Sequence, residues 1–172
     1  MKTLQISQLK PNPAGKDRTR LGPVSATQLA GEWVDVKNTG AFPVNLENVE
    51  LNHKAFSHED PVGRWQQAKV FPKFSLPAGK IVRVHSGQHR DVSVVAPTDQ
   101  TGADYHTFTG EDAYIWNNKE GDTAALWNLA LQEWIDSASY NPDPPEGVIL
   151  VRVGSKLIAL VPSFANVLRR SY

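Results

Sequence analysis

Two histidines four residues apart, His85 and His89, are the residues whose types and spacing first suggest chemistry, and Asp91 follows them closely. On a helix this spacing places both imidazoles on one face, as in zinc-binding helices. Here Ser86 and Gly87 separate the two rings, no glutamate follows the first histidine, and the surroundings are those of a strand end and a loop. We therefore predict loop histidines on a solvent-exposed face and no metal site.

A second group of histidines and carboxylates lies earlier in the chain, where His53 and His58 bracket Glu59 and Asp60. A general acid–base pair needs a pocket, and a sequence does not reveal one. His53 is in register with the apolar residues Val49 and Leu51 of an alternating segment. We therefore expect His53 to be a hydrogen-bonded, partly buried histidine.

Residues 86–113 carry several carboxylates in a segment without periodicity, interrupted by glycine and proline. Oxygen ligands on loops can hold calcium, but the tight Asp-x-Asp-x-Asp-Gly spacing is missing. We therefore predict solvated acidic loops at the surface. The carboxylates in question are Asp99, Asp104, Glu111 and Asp112.

Motifs for catalysis are missing from the rest of the sequence as well. The chain has no cysteine, so it has no thiolate nucleophile, disulfide or cysteine-based zinc site. It also lacks the glycine spacing of a phosphate-binding loop and the glycine pattern of a nucleophile elbow. We predict a non-catalytic protein without a metal or cofactor.

Charge is balanced over the 172 residues but is distributed unevenly. Residues 1–31 hold five basic and one acidic residue, and residues 148–172 hold four basic residues and no acid. Two interpretations remain open: the basic ends contact an anionic partner such as DNA, or they pack on the acidic body and neutralise it. The candidates for nucleic-acid contact are Lys16, Arg18, Arg20, Arg169 and Arg170.

Five tryptophans are many for this length, and some must lie in the core. Trp33, Trp127 and Trp134 are out of register with the apolar side of their alternating segments. They form an exposed aromatic patch, which would mark a contact site, or they are covered by the C-terminal hairpin. We take these three as candidate binding residues and leave the two alternatives open.

Short alternating segments separated by turn-forming residues predict an all-β fold, a sandwich or a barrel. Pro142, Pro144 and Pro145 form a stiff spacer, a hairpin follows it, and Ser163 is positioned to cap a short helix that extends to Arg170. Both strands of the hairpin are more continuously apolar than the earlier strands, which predicts that both of its faces are covered. The strands are predicted at residues 4–9, 32–38, 49–54, 67–71, 81–85, 114–116, 123–127, 133–139, 148–153 and 157–161.

Three stretches together resemble the lamin tail domain family. The first comprises residues 10–17 (KPNPAGKD) and 31–40 (GEWVDVKNTG), which are similar to the opening strand, the Pro/Gly turn and the strand that follows. The second is residues 71–84 (FPKFSLPAGKIVRV), and the third is residues 116–126 (WNNKEGDTAAL). Each stretch alone is weak, but all three occur in the order and spacing of the family.

The resemblance implies an immunoglobulin-like β-sandwich over residues 1–140, with residues 141–172 as a C-terminal extension of a hairpin and a short helix. It implies a binding or scaffolding module without a catalytic set. A protein is the expected partner, with self-association included, and DNA binding through the basic ends is the alternative. No apolar run approaches the length of a transmembrane helix, and the N-terminus shows no signal peptide, which predicts a cytoplasmic protein.

Overall fold

The structure is a computed structural model and describes residues 3–15, 24–56 and 59–160. Within these ranges the chain forms twelve β-strands and two short α-helices, labelled here in chain order. They are β1 (Leu4–Lys10), α1 (Ala26–Ala30), β2 (Trp33–Asn38), β3 (Val44–Asn45), β4 (Val49–Ala55), β5 (Arg64–Val70), β6 (Ser75–Leu76), β7 (Ile81–His85), α2 (Pro97–Gln100), β8 (Tyr105–Phe108), β9 (Asp122–Asn128), β10 (Glu133–Tyr140), β11 (Leu150–Val153) and β12 (Lys156–Ala159).

Ten of these strands form one sheet, in the order β5-β4-β9-β10-β12-β11-β1-β2-β7-β8, and β3 pairs with β6 in a separate two-stranded sheet. The half β5-β4-β9-β10 packs on the half β1-β2-β7-β8, and one hydrophobic core is shared by strands of both halves. This arrangement confirms the predicted all-β, immunoglobulin-like β-sandwich.

Every second side chain along the strands faces inward and forms the hydrophobic core, as the sequence predicts. Val34 and Val36 of β2 are buried against the core, and so are Val82 and Val84 of β7, which are their partners in register. Ile135 is partly buried and packs against this core at its border. The other predicted inter-sheet residues, Leu51, Ala124 and Leu126, are also buried in this core.

Turn-forming residues separate these strands, and two glycines show why a side chain is not tolerated there. Gly79 and Gly121 have positive φ angles of 74° and 75°, a conformation that glycine adopts readily. A Cβ atom at Gly121 would lie 2.5 Å from the carbonyl oxygen of Tyr140, so this turn requires glycine. Asn38, by contrast, ends β2 without a positive φ angle, and its side chain donates to the carbonyl oxygens of Phe42 and Leu76.

The C-terminal hairpin is inserted between the two halves of the large sheet. β11 pairs with β1 antiparallel, and β12 pairs with β10 through a parallel bridge between Ser139 and Lys156. Leu150 and Leu157 of the hairpin are buried in the shared core. The division of the chain at residue 140 stays a prediction, and the predicted helix at 163–170 lies outside the described residues.

The outer face of the hairpin corrects one expectation. Val153 and Ile158 are 53% and 41% exposed, so the prediction that both faces are covered is wrong. The inner face alone is buried, because the hairpin, inserted between the two halves of the sheet, has the core on one side only.

A covering layer, made of α1 and residues 91–101, lies on the outer face of β2 and β7. Within the layer are a 3-10 turn, Val92–Val94, and α2. β8 follows and pairs parallel to β7. Ala30 of α1, Val95 of the layer and Phe108 of β8 form a second, smaller hydrophobic cluster. The sequence predicts loops here with at most short strands, and it did not indicate α1 or the layer.

Candidate functional site

The candidate contact residue Trp33 lies beneath the covering layer. Its exposed fraction is 0%, and the guanidinium carbon of Arg83 lies 3.4 Å from the centre of its ring. The Arg83 guanidinium also forms a two-point ion pair with Asp35, with N–O distances of 2.7 Å for both hydrogen bonds. Trp33 is therefore not part of an exposed patch, and the residues that cover it belong to the layer and not to the C-terminal hairpin.

Asp99 of α2 attaches the layer to the strands beneath it. Its carboxylate accepts a hydrogen bond from the indole Nε1 of Trp33 at 2.8 Å and from the ammonium of Lys10 at 2.7 Å. The backbone carbonyl oxygens of Asp99 and Thr101 accept hydrogen bonds from Arg83. The prediction of a solvated loop carboxylate is wrong for Asp99, because it neutralises a partly buried ammonium and holds a buried indole.

His85, predicted on a solvent-exposed face, is instead buried at the end of β7. Its Nδ1 lies 2.6 Å from the carbonyl oxygen of Ala30, so Nδ1 must carry the proton, and its Nε2 accepts from Nδ1 of His106 at 2.9 Å. Burial lowers the pKa of His85 to about 4, so the ring is neutral at pH 7. His85 is a structural bridge from β7 to α1, whereas His89 is exposed.

Glu32 joins the start of β2 to the segment that precedes β9. Its carboxyl oxygens accept hydrogen bonds from the Ser86 hydroxyl and from the backbone N–H groups of Ile115 and Trp116, the last two at 2.8 and 3.2 Å. Burial raises the pKa of Glu32 to about 8, although these hydrogen bonds oppose the shift. Such a pKa can serve catalysis, but Glu32 is fully buried and every contact described here is to the chain itself.

Asp122 organises the turn before β9 in a similar way. Its side chain accepts hydrogen bonds from the backbone N–H groups of Lys54, Asn117 and Thr123, and it lies 3.1 Å from Nδ1 of His53. The predicted hydrogen-bonded state of His53 is confirmed. The motif residues are therefore parts of the scaffold.

The remaining histidines and carboxylates do not form a metal site in the described ranges. Within residues 3–15, 24–56 and 59–160, no group of three or more His, Asp or Glu side chains is placed to hold a metal ion. Asp104 forms an ion pair with Lys80 at 2.8 Å, and Glu111 and Asp112 point to solvent. His58 of the predicted acid–base group lies outside the described residues.

The other two candidate tryptophans lie together on the opposite outer face. We call this cluster of Trp65, Trp127 and Trp134 the tryptophan face. Trp127 of β9 and Trp134 of β10 are partners in register with ring centres 4.7 Å apart, and Trp65 of β5 lies 4.6 Å from Trp134. Trp65 and Trp134 are each 40% exposed, and the Lys54 ammonium lies 5.3 Å from the Trp65 ring.

Apolar surface extends from the tryptophan face in two directions. Val70, on β5, is 42% exposed, and Leu131, in the turn between β9 and β10, is 67% exposed. Ala125 and Asn52 lie on the same outer side of the sheet but are buried, although no strand of the described residues covers that side. We infer that the three large rings cover them and that the rings themselves form the outer surface.

Sequence reasoning missed Trp65 as a member of this surface. The predicted strand begins at Gln67 and therefore places Trp65 on neither face of the sheet, whereas β5 begins at Arg64. The pairing of Trp65 with Lys54 shows that it lies on the outer side. Extending the alternation back from Gln67 by two residues is the signal that would have found it.

The candidate nucleic-acid residues all fall outside the described ranges. Whether the two basic ends meet on one face therefore stays a prediction. The residues concerned are Lys16, Arg18, Arg20, Arg169 and Arg170.

The fold and its surfaces define an immunoglobulin-like β-sandwich module with a buried polar network on one outer face and an exposed aromatic cluster on the other. The model of the family described as Lamin Tail Domain matches residues 1–142. The chain belongs to this family. No curated protein matches the sequence. No helix in the described part of the chain is long and apolar enough to cross a membrane.

Proposed function

We propose that this chain is a non-catalytic module that binds another protein through the tryptophan face. The observation that carries the proposal is the cluster itself, in which Trp65 and Trp134 expose 40% of their surface on a sheet already rigid through its pairing. Tryptophan is the residue type most enriched among those that dominate binding energy at protein interfaces. Large exposed apolar surface of this kind usually marks an interaction site.

The two outer faces of the sandwich support this assignment of the surface. The chain covers Trp33 with its own residues and satisfies its indole N–H, so that tryptophan has a complete structural role. The tryptophan face has apolar surface around it and a lysine over one ring. A protein partner would supply the apolar contact that remains.

Photo-crosslinking in cells of the source organism tests the proposal directly. A benzophenone amino acid at position 137, which is exposed on the same side of β10, should crosslink one protein that mass spectrometry identifies. The same amino acid at position 98, which is exposed on the covering layer, is the control position. The identified protein is then purified and titrated against the chain.

The matched variants are Trp134→Ser and Val92→Ser, because the two side chains are 40% and 39% exposed on opposite faces. We expect Trp134→Ser to weaken binding at least about 30-fold, as for a central aromatic contact, and Val92→Ser to leave it unchanged. Equal affinity of wild type and Trp134→Ser would overturn the proposal, and so would position-independent crosslinking. Self-association would appear as a crosslinked dimer of the chain.

A further inference from the structure

The strand β5 forms one end of the large sheet and exposes its backbone. It is the first strand in the sheet order, and among the described residues none pairs with the side of β5 that faces away from β4. The N–H of Phe71 donates to the carbonyl oxygen of Val49, and Lys69 is opposite Leu51. Because backbone groups alternate in direction along a strand, those of Trp65, Gln67 and Val70 point away from β4.

This edge is long and accessible, which is unusual for an isolated domain. β5 has seven residues, of which Ala68 is buried, Lys69 is half-buried and the rest are exposed. An exposed edge presents a row of N–H and C=O groups that can pair with an added strand. The chain occupies the gap between β10 and β1 with its own hairpin, whereas in the described part of the chain the outer edge of β5 has no such strand.

The charge along this edge has one sign. Residues 64–74 include Arg64, Lys69 and Lys73 and no acidic residue. Arg90 lies near Lys69, and burial together with this neighbouring positive charge lowers the pKa of Lys69. In the ranges that the structure describes, none of these four cations takes part in a salt bridge with a carboxylate.

The same positive charges disfavour a second copy of β5 as the added strand. Pairing of two β5 edges would bring two basic strands side by side, and like charges opposite one another destabilise a strand pair. The register shift at Leu51 and Asn52, which leaves Ala68 as an extra residue, further interrupts a regular pairing of two such edges. An acidic strand has the complementary charge.

A cavity of about 270 Å³ adjoins the end of this edge. It is lined on one side by Phe71 and Phe74, which follow β5, and on the other by Tyr105 and His106 of β8. The rings of Phe74 and Tyr105, both in its lining, have centres 4.9 Å apart. Its volume is comparable to that of one large apolar side chain with space around it, and Lys73 lies at its border.

We infer that the outer edge of β5 binds an extended acidic segment of a partner protein, which adds as a strand to the sheet. The backbone groups of Trp65, Gln67 and Val70 pair with the added strand, and an apolar side chain of the segment enters the cavity beside Phe71. The carboxylates of the segment lie beside Arg64, Lys69 and Arg90. This is strand addition, in which main-chain bonds supply affinity and pockets supply specificity.

The inference rests on the proposed protein-binding function but not on the tryptophan face as its surface. A phage-displayed library of random twelve-residue peptides, selected against the full chain, provides the probe. We expect enriched peptides to be acidic with alternating β-branched or aromatic residues. Addition of such a peptide should slow hydrogen exchange at the amides of Trp65, Gln67 and Val70.

Gln67→Pro removes one outward N–H donor without removing a bond to β4, and we expect it to weaken peptide binding about tenfold or more. Lys69→Glu is the second variant, in case the proline prevents folding, and should weaken acidic peptides while leaving the fold intact. Ile158→Ser, at a side chain that is 41% exposed on the outer face of the hairpin, is the matched control, and we expect it to keep peptide affinity within about twofold.

Three outcomes would overturn the inference: no enrichment of acidic peptides, slowed exchange at other amides only, or tighter binding of a twelve-nucleotide single-stranded DNA to the same edge. Binding of the crosslinked partner distinguishes failure of this inference from failure of the proposed function. If Trp134→Ser abolishes binding of the crosslinked partner while Gln67→Pro and Lys69→Glu retain it, the tryptophan face is the binding surface and the β5 edge is not.

Discussion

The outer face of β2 and β7 and the outer face of β9 and β10 both carry tryptophan, and the chain treats them in opposite ways. On the first face Trp33 is covered, its indole N–H is bonded to Asp99, and Arg83 lies on its ring. On the second face Trp127 and Trp134 contact each other and remain at the surface. The first face therefore buries charge to complete the fold, and the second exposes apolar surface that the fold does not need.

The difference shows that a tryptophan in a strand does not by itself indicate either a core position or a contact site. What decides is whether other residues supply partners for the indole and cover for the ring. The energetic consequence is large, because a buried ion pair costs stability when one member is removed, whereas an exposed ring costs little.

Replacement of the two tryptophans should show the largest contrast. We expect Trp33→Ala to lower the free energy of unfolding by about 3–5 kcal/mol, because it leaves a cavity and removes the indole hydrogen bond to the Asp99 carboxylate. Trp134→Ala should lower it by about 1 kcal/mol, the value of a partly exposed aromatic pair. Urea unfolding measures both, and equal losses would remove the distinction between the two faces.

Arg83→Lys tests whether the covered face needs the guanidinium or only its charge. Lysine keeps the charge but cannot form the two-point pair with Asp35 while also donating to the carbonyl oxygens of Asp99 and Thr101. We expect a loss of about 2–3 kcal/mol. Arg64→Lys, at the exposed edge, is the matched control and should change stability by less than about 0.5 kcal/mol.

The pH dependence of stability should identify Glu32 among the buried groups. Its pKa is raised to about 8 in the folded chain, so the folded state holds the proton more tightly than the unfolded state does. The resulting contribution is fully present below pH 4.5, its ordinary pKa, and is lost as the pH rises through about 8.

Glu32→Gln removes that titration. We expect the wild type to lose about 2 kcal/mol or more relative to Glu32→Gln between pH 5 and pH 8.5, since one pKa unit corresponds to about 1.4 kcal/mol. The difference between the two proteins is the quantity to measure, because burial of His85 shifts stability in the opposite direction at acidic pH. A difference that does not change with pH would contradict the raised pKa of Glu32.

Acrylamide quenching of fluorescence should show the smallest effect and needs no unfolding. Trp134→Phe should reduce the readily quenched fraction of the emission, whereas Trp33→Phe should not reduce that fraction, because Trp33 is fully buried and its own emission is poorly quenched. If both replacements reduced it equally, the covering layer would have to open in solution.

The sequence predicts the strands well because the alternation of apolar and polar residues shows directly which side chains of a strand face the core. It places Val34 and Val82 inside and Trp33 outside, and the structure agrees with these directions. Alternation does not reveal whether a further layer lies outside. The residues that cover Trp33 come from α1 and residues 91–101, which lack a period, so the burial of Trp33, Arg83 and His85 was not predictable from their own strands.

The candidate surface was predictable in part for the same reason. Trp127 and Trp134 fall on one outer face by alternation along two strands of a hairpin, so their pairing follows from sequence. Trp65 enters the cluster from a strand distant in sequence, through β4, and pairing between such strands depends on the tertiary fold. The order of strands in the sheet, which the sequence does not state, decides which surfaces are continuous.

The contact between β1 and the C-terminal hairpin has a consequence for synthesis of the chain. The N–H of Ile6 donates to Asp136, 130 residues later, and Arg152 binds both that carboxylate and the Ile6 carbonyl oxygen. At about 5–20 residues per second, a ribosome makes Asp136 roughly 7–26 s after Ile6. Throughout that interval the first strand lacks one of its final neighbours, so newly made chains depend on keeping a β-edge unoccupied until their last strands emerge.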